Sequence, residues 1–148
     1  MALGEIGYAT IRGSIYSAAF LATMAVMGMT PSWWALLSVP ICVLIAFAFS
    51  AVGMMATTFM RSWSDFEYVP TISLPLFLFS ATFYPVSSYG DWGWVLQLSP
   101  LYHGVALVRG VNQGDFAWSY LGHVGVLVAL AVFGLTVTAR RLERMLLP

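Results

Sequence analysis

The stretch "ATFYPVSSYGDWGWVLQLSPLYHGVALVRG", residues 81–110, decides the fold. Seventeen residues free of charge lie between Asp91 and Arg109, nearly enough to cross a bilayer. Gly93, Gln97, Ser99, Pro100, His103 and Gly104 interrupt them. Ser99-Pro100 reads as a helix N-cap followed by proline at the first helical position, which divides the stretch into two short helices, about 92–98 and 100–111. Whether these residues cross or turn back sets the parity of the whole chain.

The rest of the sequence is that of an integral membrane protein. Sixty percent of the 148 residues are apolar and 8% are charged, against about 25% charged in a soluble domain. The mean hydropathy is +0.85. From Gly13 to Met60, 48 consecutive residues carry no Asp, Glu, Lys or Arg. As helix that run is roughly 70 Å long, about twice a hydrocarbon core, so it folds back once. The turn is "GMTPSWW", residues 28–34, with a helix-ending glycine, a Thr-Pro pair and two boundary-seeking tryptophans.

Four spans follow from this reading, at about 12–28, 36–59, 66–84 and 119–139, with a hairpin at about 85–112. The predicted fold is all-α, a single transmembrane domain. In the second span Ala46, Ser50, Gly53 and Thr57 share one face, where small side chains let another helix approach. "RSWSDFEY", residues 61–68, opens the third span. Ser64 and Glu67 have capping-box spacing, and Asp65 and Glu67 suit a helix N-terminus. Pro75 inside that span predicts a kink. Arg140, Arg141 and Arg144 close the last one.

Counting arginines settles the expected parity. If residues 92–108 turn back, Arg12, Arg61, Arg140, Arg141 and Arg144 share one side and Arg109 lies opposite; if they cross, the split is three against three. The positive-inside rule favours five to one, with both termini cytoplasmic. The hairpin is then re-entrant or interfacial on the outer side, where broken backbone is tolerated if protein or a watery cavity surrounds it.

Little in the chain suits covalent chemistry. With no lysine it has no P-loop. His103 and His123 have no acid at relay spacing, and each is expected to make a simple polar contact near the outer boundary. Arg109 is read as an interfacial anchor, snorkelling outward or paired with Asp91 or Asp115. Every charge lies at a boundary, which weighs against a proton-coupled carrier. The aromatic residues suit interfacial belts better than base stacking, so no nucleic acid is expected. The single cysteine, Cys42, excludes an internal disulfide and makes no metal site by itself.

The order of "GEIGYATIRG", "RSWSDFEYVPTISLPLFLFSATFYPVSS", "LQLSPLYHGVALVRG" and an arginine-rich tail resembles the C-terminal two-thirds of the membrane subunit of type-2 ATP-binding-cassette exporters. That group includes drug, polysaccharide and nodulation-factor exporters. The Phe83-Tyr84-Pro85 and Ser99-Pro100-Leu101…Arg109 runs are its most specific parts. The resemblance implies a permease in a bacterial inner membrane, paired with a second permease copy and with cytoplasmic ATPase subunits that hold the ATP and magnesium. It would move a hydrophobic or amphipathic substrate outward by alternating access. Tyr84, Pro85, Ser99, Pro100, His103 and Arg109 would belong to the outer gate; Arg61, Ser64, Asp65 and Glu67 are a candidate cytoplasmic contact. A typical member has two earlier spans and a coupling helix before the stretch matching Met1, so a truncated copy or a separate chain supplying that part is expected. The alternatives are a membrane assembly or regulatory subunit without a transport path, and an intramembrane enzyme.

Overall fold

The computed structural model describes residues 2–29, 33–84, 86–114 and 117–146. Six α-helices make the architecture, and no strand occurs among the described residues. They are α1 (Ala2–Val26), α2 (Ser38–Thr57), α3 (Tyr68–Leu78), α4 (Gly93–Leu98), α5 (Pro100–Gln113) and α6 (Ser119–Leu146). Single 3-10 segments precede α2, α3 and α4, at Trp33–Leu37, Trp63–Glu67 and Val86–Trp92.

Among the described residues two helices are long and apolar enough to cross a bilayer, Trp33–Thr57 and Ser119–Arg144. Helix α1 has 25 residues, enough for the length, but carries Glu5 and Arg12 in its first half. It starts ten residues before the predicted span. It ends at a left-handed Gly28 (φ 70°), whose N–H donates to Ala25 O while that of Met29 donates to Met24 O. The centre of the following turn, residues 30–32, lies outside the described residues.

The bundle is packed through small residues and faces outward with large ones. Ala48, Leu107, Leu127 and Ala131 form the core, with Ile41, Leu44 and Ile45 against it. Phe20, Ile15, Leu74 and Phe133 point away from the protein. A soluble fold arranges these the other way round; lipid tails cover such a surface at no cost. Along α1 and α2, Thr10 Oγ1 lies 3.4 Å from Ser50 Oγ, and a Cβ on Gly13 would sit 3.1 Å from that of Ala46. The helices are therefore antiparallel, and two of the four small residues predicted to share a face of α2, Ala46 and Ser50, meet α1 there. Gly53 has no neighbour at that distance, and Thr57 bonds its own helix at Met54 O.

Helices α2 and α6 run parallel. Gly134 abuts the backbone of Ala51, and one turn past each helix's packed stretch Arg141 donates to Thr58 O at 3.1 Å. Its guanidinium stacks 3.8 Å from the Phe59 ring. The start of α1 and the end of α6 thus lie at the same end of the bundle, beside Thr58. Between Thr57 and Ser119 the chain passes to the opposite end, beside Trp34.

The third predicted helix is shorter than expected. The helix ends at Leu78 rather than Tyr84, and its 11 residues are about 16 Å long. Pro75 removes one helical donor inside it, and Ala81 adopts a left-handed conformation (φ 57°) that no helix continues through. The predicted capping box at Ser64 and Glu67 lies two residues earlier. Asp65 Oδ2 accepts from the N–H groups of Arg61 (2.7 Å) and Ser62 (3.0 Å), and Ser62 Oγ accepts from Ser64 N–H. Those two donors hold the Asp65 carboxyl below its ordinary range. The cap wins because it needs an extended residue ahead of the turn, and Ser62 (φ −136°, ψ 157°) is one, whereas Ser64 already lies inside the 3-10 segment.

Candidate functional site

Helices α4 and α5 form a broken helical segment, and α5 packs against both α2 and α6. Its break is set by Pro100. A residue before proline is driven out of the helical region, and Ser99 is extended (φ −78°, ψ 117°). Proline then stands at the first position of α5, where its missing N–H costs nothing. The boundaries match the two predicted short helices to within two residues. One detail differs. The Ser99 hydroxyl caps nothing: it is buried and makes no hydrogen bond, and the turn is closed instead by Tyr102 N–H donating to Ser99 O at 3.1 Å. At the far end Gly114, left-handed at φ 73°, closes α5 by donating to Gly110 O and Val111 O.

Helix α5 is antiparallel to both its neighbours. Gly104 faces Ile45, and Gly114 faces Trp34 at the end of the bundle. Gly110 lies under the ring of Tyr120 and His103 beside His123. Gly104, one turn into α5, therefore sits about eleven residues down α2 from Trp34, roughly 16 Å, or about half a hydrocarbon core. Glycine at 104 is what lets α5 approach: a Cβ there would be 3.0 Å from Ile45 Cδ1.

Two long-range contacts were not legible in the sequence. His103 Nδ1 lies 2.6 Å from His123 Nδ1, and His103 Nε2 lies 2.9 Å from Gln97 O. The polar contact expected of each histidine is the other histidine. Arg109 donates to Ala81 O at 3.0 Å, rather than to Asp91; Asp115 lies outside the described residues. A left-handed alanine is strained by about 1–2 kcal/mol, so this bond across 28 residues holds a turn that would otherwise relax. Tyr89 supports the same turn, donating to Leu78 O at 2.6 Å with its ring 6.5 Å from that of Phe79. Of the remaining predicted gate residues, Tyr84 is exposed and Pro85 lies outside the described residues.

A groove of about 480 Å³ runs between α1 and α5, walled by Met24, Ile45, Leu101, Val105 and Val108 and with Arg109 at its rim. Cys42 is half-buried on α2, a free thiol. Arg61, Ser64, Asp65 and Glu67 are gathered in the 3-10 turn ahead of α3, far along the chain from the hairpin; the turn's hydrogen bonds are internal to it.

Long apolar helices with large apolar side chains turned outward are those of a membrane protein. The ABC-2 type transporter family model matches residues 1–112, and the chain belongs to that family. It is similar to nodulation protein J of Rhizobium leguminosarum bv. trifolii, 27% identical over 98% of this chain and 56% of that protein. The bv. viciae protein of the same name is 26% identical over 98% of this chain and 57% of its own length. Nodulation protein J of Azorhizobium caulinodans is 25% identical over 74% of this chain and 44% of that protein. The chain thus spans about half the length of these curated relatives. No solved structure matches it.

Proposed function

We propose that this chain is part of the permease subunit of an ATP-driven exporter, in a bacterial inner membrane, moving a hydrophobic or amphipathic substrate outward by alternating access. Membership of the ABC-2 type transporter family carries the reading. With no lysine the chain has no P-loop, so nucleotide and magnesium belong to a cytoplasmic ATPase partner. A second permease copy completes the path, and lipid covers the outward-facing Phe20, Ile15 and Phe133.

The topology of the reading is four crossings and a re-entrant hairpin. The parallel α2–α6 pair supports it, since the chain between them has to change ends once. Because α3 is short, the 3-10 turn before it and residues 79–84 after it make up the remaining distance. Positive charge orients the bundle: the Thr58 end gathers Arg61, Arg140, Arg141 and Arg144 and is cytoplasmic, and Arg109 lies toward the outside. The hairpin then covers the exit, and the groove beside Arg109 offers an apolar wall with a cationic rim to a substrate of mixed polarity.

Affinity purification of the tagged chain from its native membrane tests this. An ATPase carrying a P-loop is expected to copurify, and depletion of the chain is expected to abolish both export and substrate-stimulated hydrolysis. Purification without any ATPase, with export unchanged on depletion, would leave an assembly or regulatory subunit as the better reading.

A further inference from the structure

The histidine pair is a built site that transport by alternating access does not require. Its protonation is fixed by its partners. Gln97 O only accepts, so His103 Nε2 carries a proton and donates it. In the neutral pair His103 Nδ1 is then bare, and His123 Nδ1–H donates to it across 2.6 Å. One added proton leaves the bond intact, with the shared hydrogen now between an imidazolium and an imidazole. A second added proton puts N–H groups on both facing nitrogens, and the bond is lost. Two hydrogens have no room in 2.6 Å.

We propose that His103 and His123 form a single-proton site that clamps the hairpin to α6, and that acidification on the Trp34 side opens the clamp by adding the second proton. The site spans three helices: His103 lies on α5, His123 on α6, and the carbonyl at Gln97 on α4. Tyr102 stands edge-on to both rings, at 5.7 and 6.0 Å, and the Tyr120 ring lies 6.2 Å from His123. These phenols are the titratable groups facing the pair. The facing residue of α2 is Ile45, against Gly104. Arg109, two turns on along α5, is bonded to Ala81 O. Among the described residues no carboxylate acts on the pair. Both rings are half-buried. Once the second proton is bound, the break at Ser99-Pro100 is free to swing on its α3 side, while the α2–α6 contact through Ala48, Leu127 and Ala131 stays closed.

The chain has two histidines, so 15N-histidine labelling reports on this site alone. The experiment is solid-state NMR of the full chain in phosphatidylcholine bilayers, titrated from neutral to acidic pH. At neutral pH the expected pattern is one ring protonated at Nε2 and the other at Nδ1, with a coupling across the Nδ1–Nδ1 hydrogen bond. On acidification the two proton uptakes separate by at least about one pH unit, a tenfold difference in proton affinity. The coupling vanishes with the second. Single-site His103→Gln and His123→Gln variants are expected to titrate once, between the two steps of the parent. Two independent, superimposed titrations in the parent with no Nδ1–Nδ1 coupling would overturn the proposal. The parent spectrum decides even if a variant fails to insert, and it does so whether or not the chain exports anything.

Discussion

Leucine in place of Gly134 is expected to dismantle the bundle, whereas leucine in place of Gly125, nine residues earlier on the same helix, is expected to be nearly neutral. A Cβ at 134 would lie 2.8 Å from Ala51 C, 2.9 Å from Ala51 O and 3.0 Å from Val52 N. These are backbone atoms inside α2 and have no rotamer to escape into. Relief requires α2 and α6 to separate, and Ala48, Leu127 and Ala131 meet only while they are close. Overpacking of this kind costs about 1–3 kcal/mol, and more where backbone has to move. In a membrane the loss falls directly on helix association, because van der Waals fit supplies most of what holds helices together there. Nothing lies within 4 Å of a Cβ at Gly125. Thermal unfolding in lipid nanodiscs checks the pair: a clear drop in midpoint for Gly134→Leu and little change for Gly125→Leu. Equal effects would show that the α2–α6 contact does not organise the fold.

Replacing Pro100 with alanine is expected to abolish most export while leaving membrane insertion near normal. Proline holds Ser99 out of the helical region, and the break separates α4 from α5. With alanine both restraints go, and residues 93–113 are free to continue as one helix. Twenty-one residues make about 31 Å, the thickness of a hydrocarbon core. The merged helix then has the length of a crossing, with Arg109 in its last turns near the boundary, and its insertion is not impaired. What is lost is the geometry that brings His103 to His123 and Arg109 to Ala81. A bias of 1.4 kcal/mol toward the merged helix already corresponds to tenfold, and export is expected to fall at least about tenfold. Membrane yield and export, measured on the same cells, separate the cases. A parallel loss of both would mean that Pro100 is needed for folding rather than for the working of the hairpin.

The sequence marks the elements that are governed by local chemistry. Apolar length places α2 and α6, the small residues at 46 and 50 place the α1 contact, and Ser99-Pro100 places the hairpin break. Contacts that depend on how the hairpin folds back were out of reach. His103 and His123 are 20 residues apart, and no spacing rule pairs them; only the antiparallel course of α5 and α6 does. The bond from Arg109 to Ala81 requires an alanine in a conformation its type seldom adopts. The short α3 was hidden because residues 79–84 carry no charge and no glycine to mark a stop, and hydropathy does not register a left-handed residue. The cap at residues 62–65 was misplaced by two because Ser and acidic residues alternate through "RSWSDFEY", where two frames satisfy the same pattern.

The central claim is that residues 93–113 return to the side from which they entered, so that both ends of the chain face the cytoplasm. Fusing alkaline phosphatase, active only outside the inner membrane, after Asp91 and separately after Pro148 tests it most directly. The account predicts an active enzyme at Asp91 and an inactive one at Pro148, with the reverse for a fluorescent protein that matures only in the cytoplasm. Phosphatase activity at both positions would mean that the hairpin crosses, and would contradict the account.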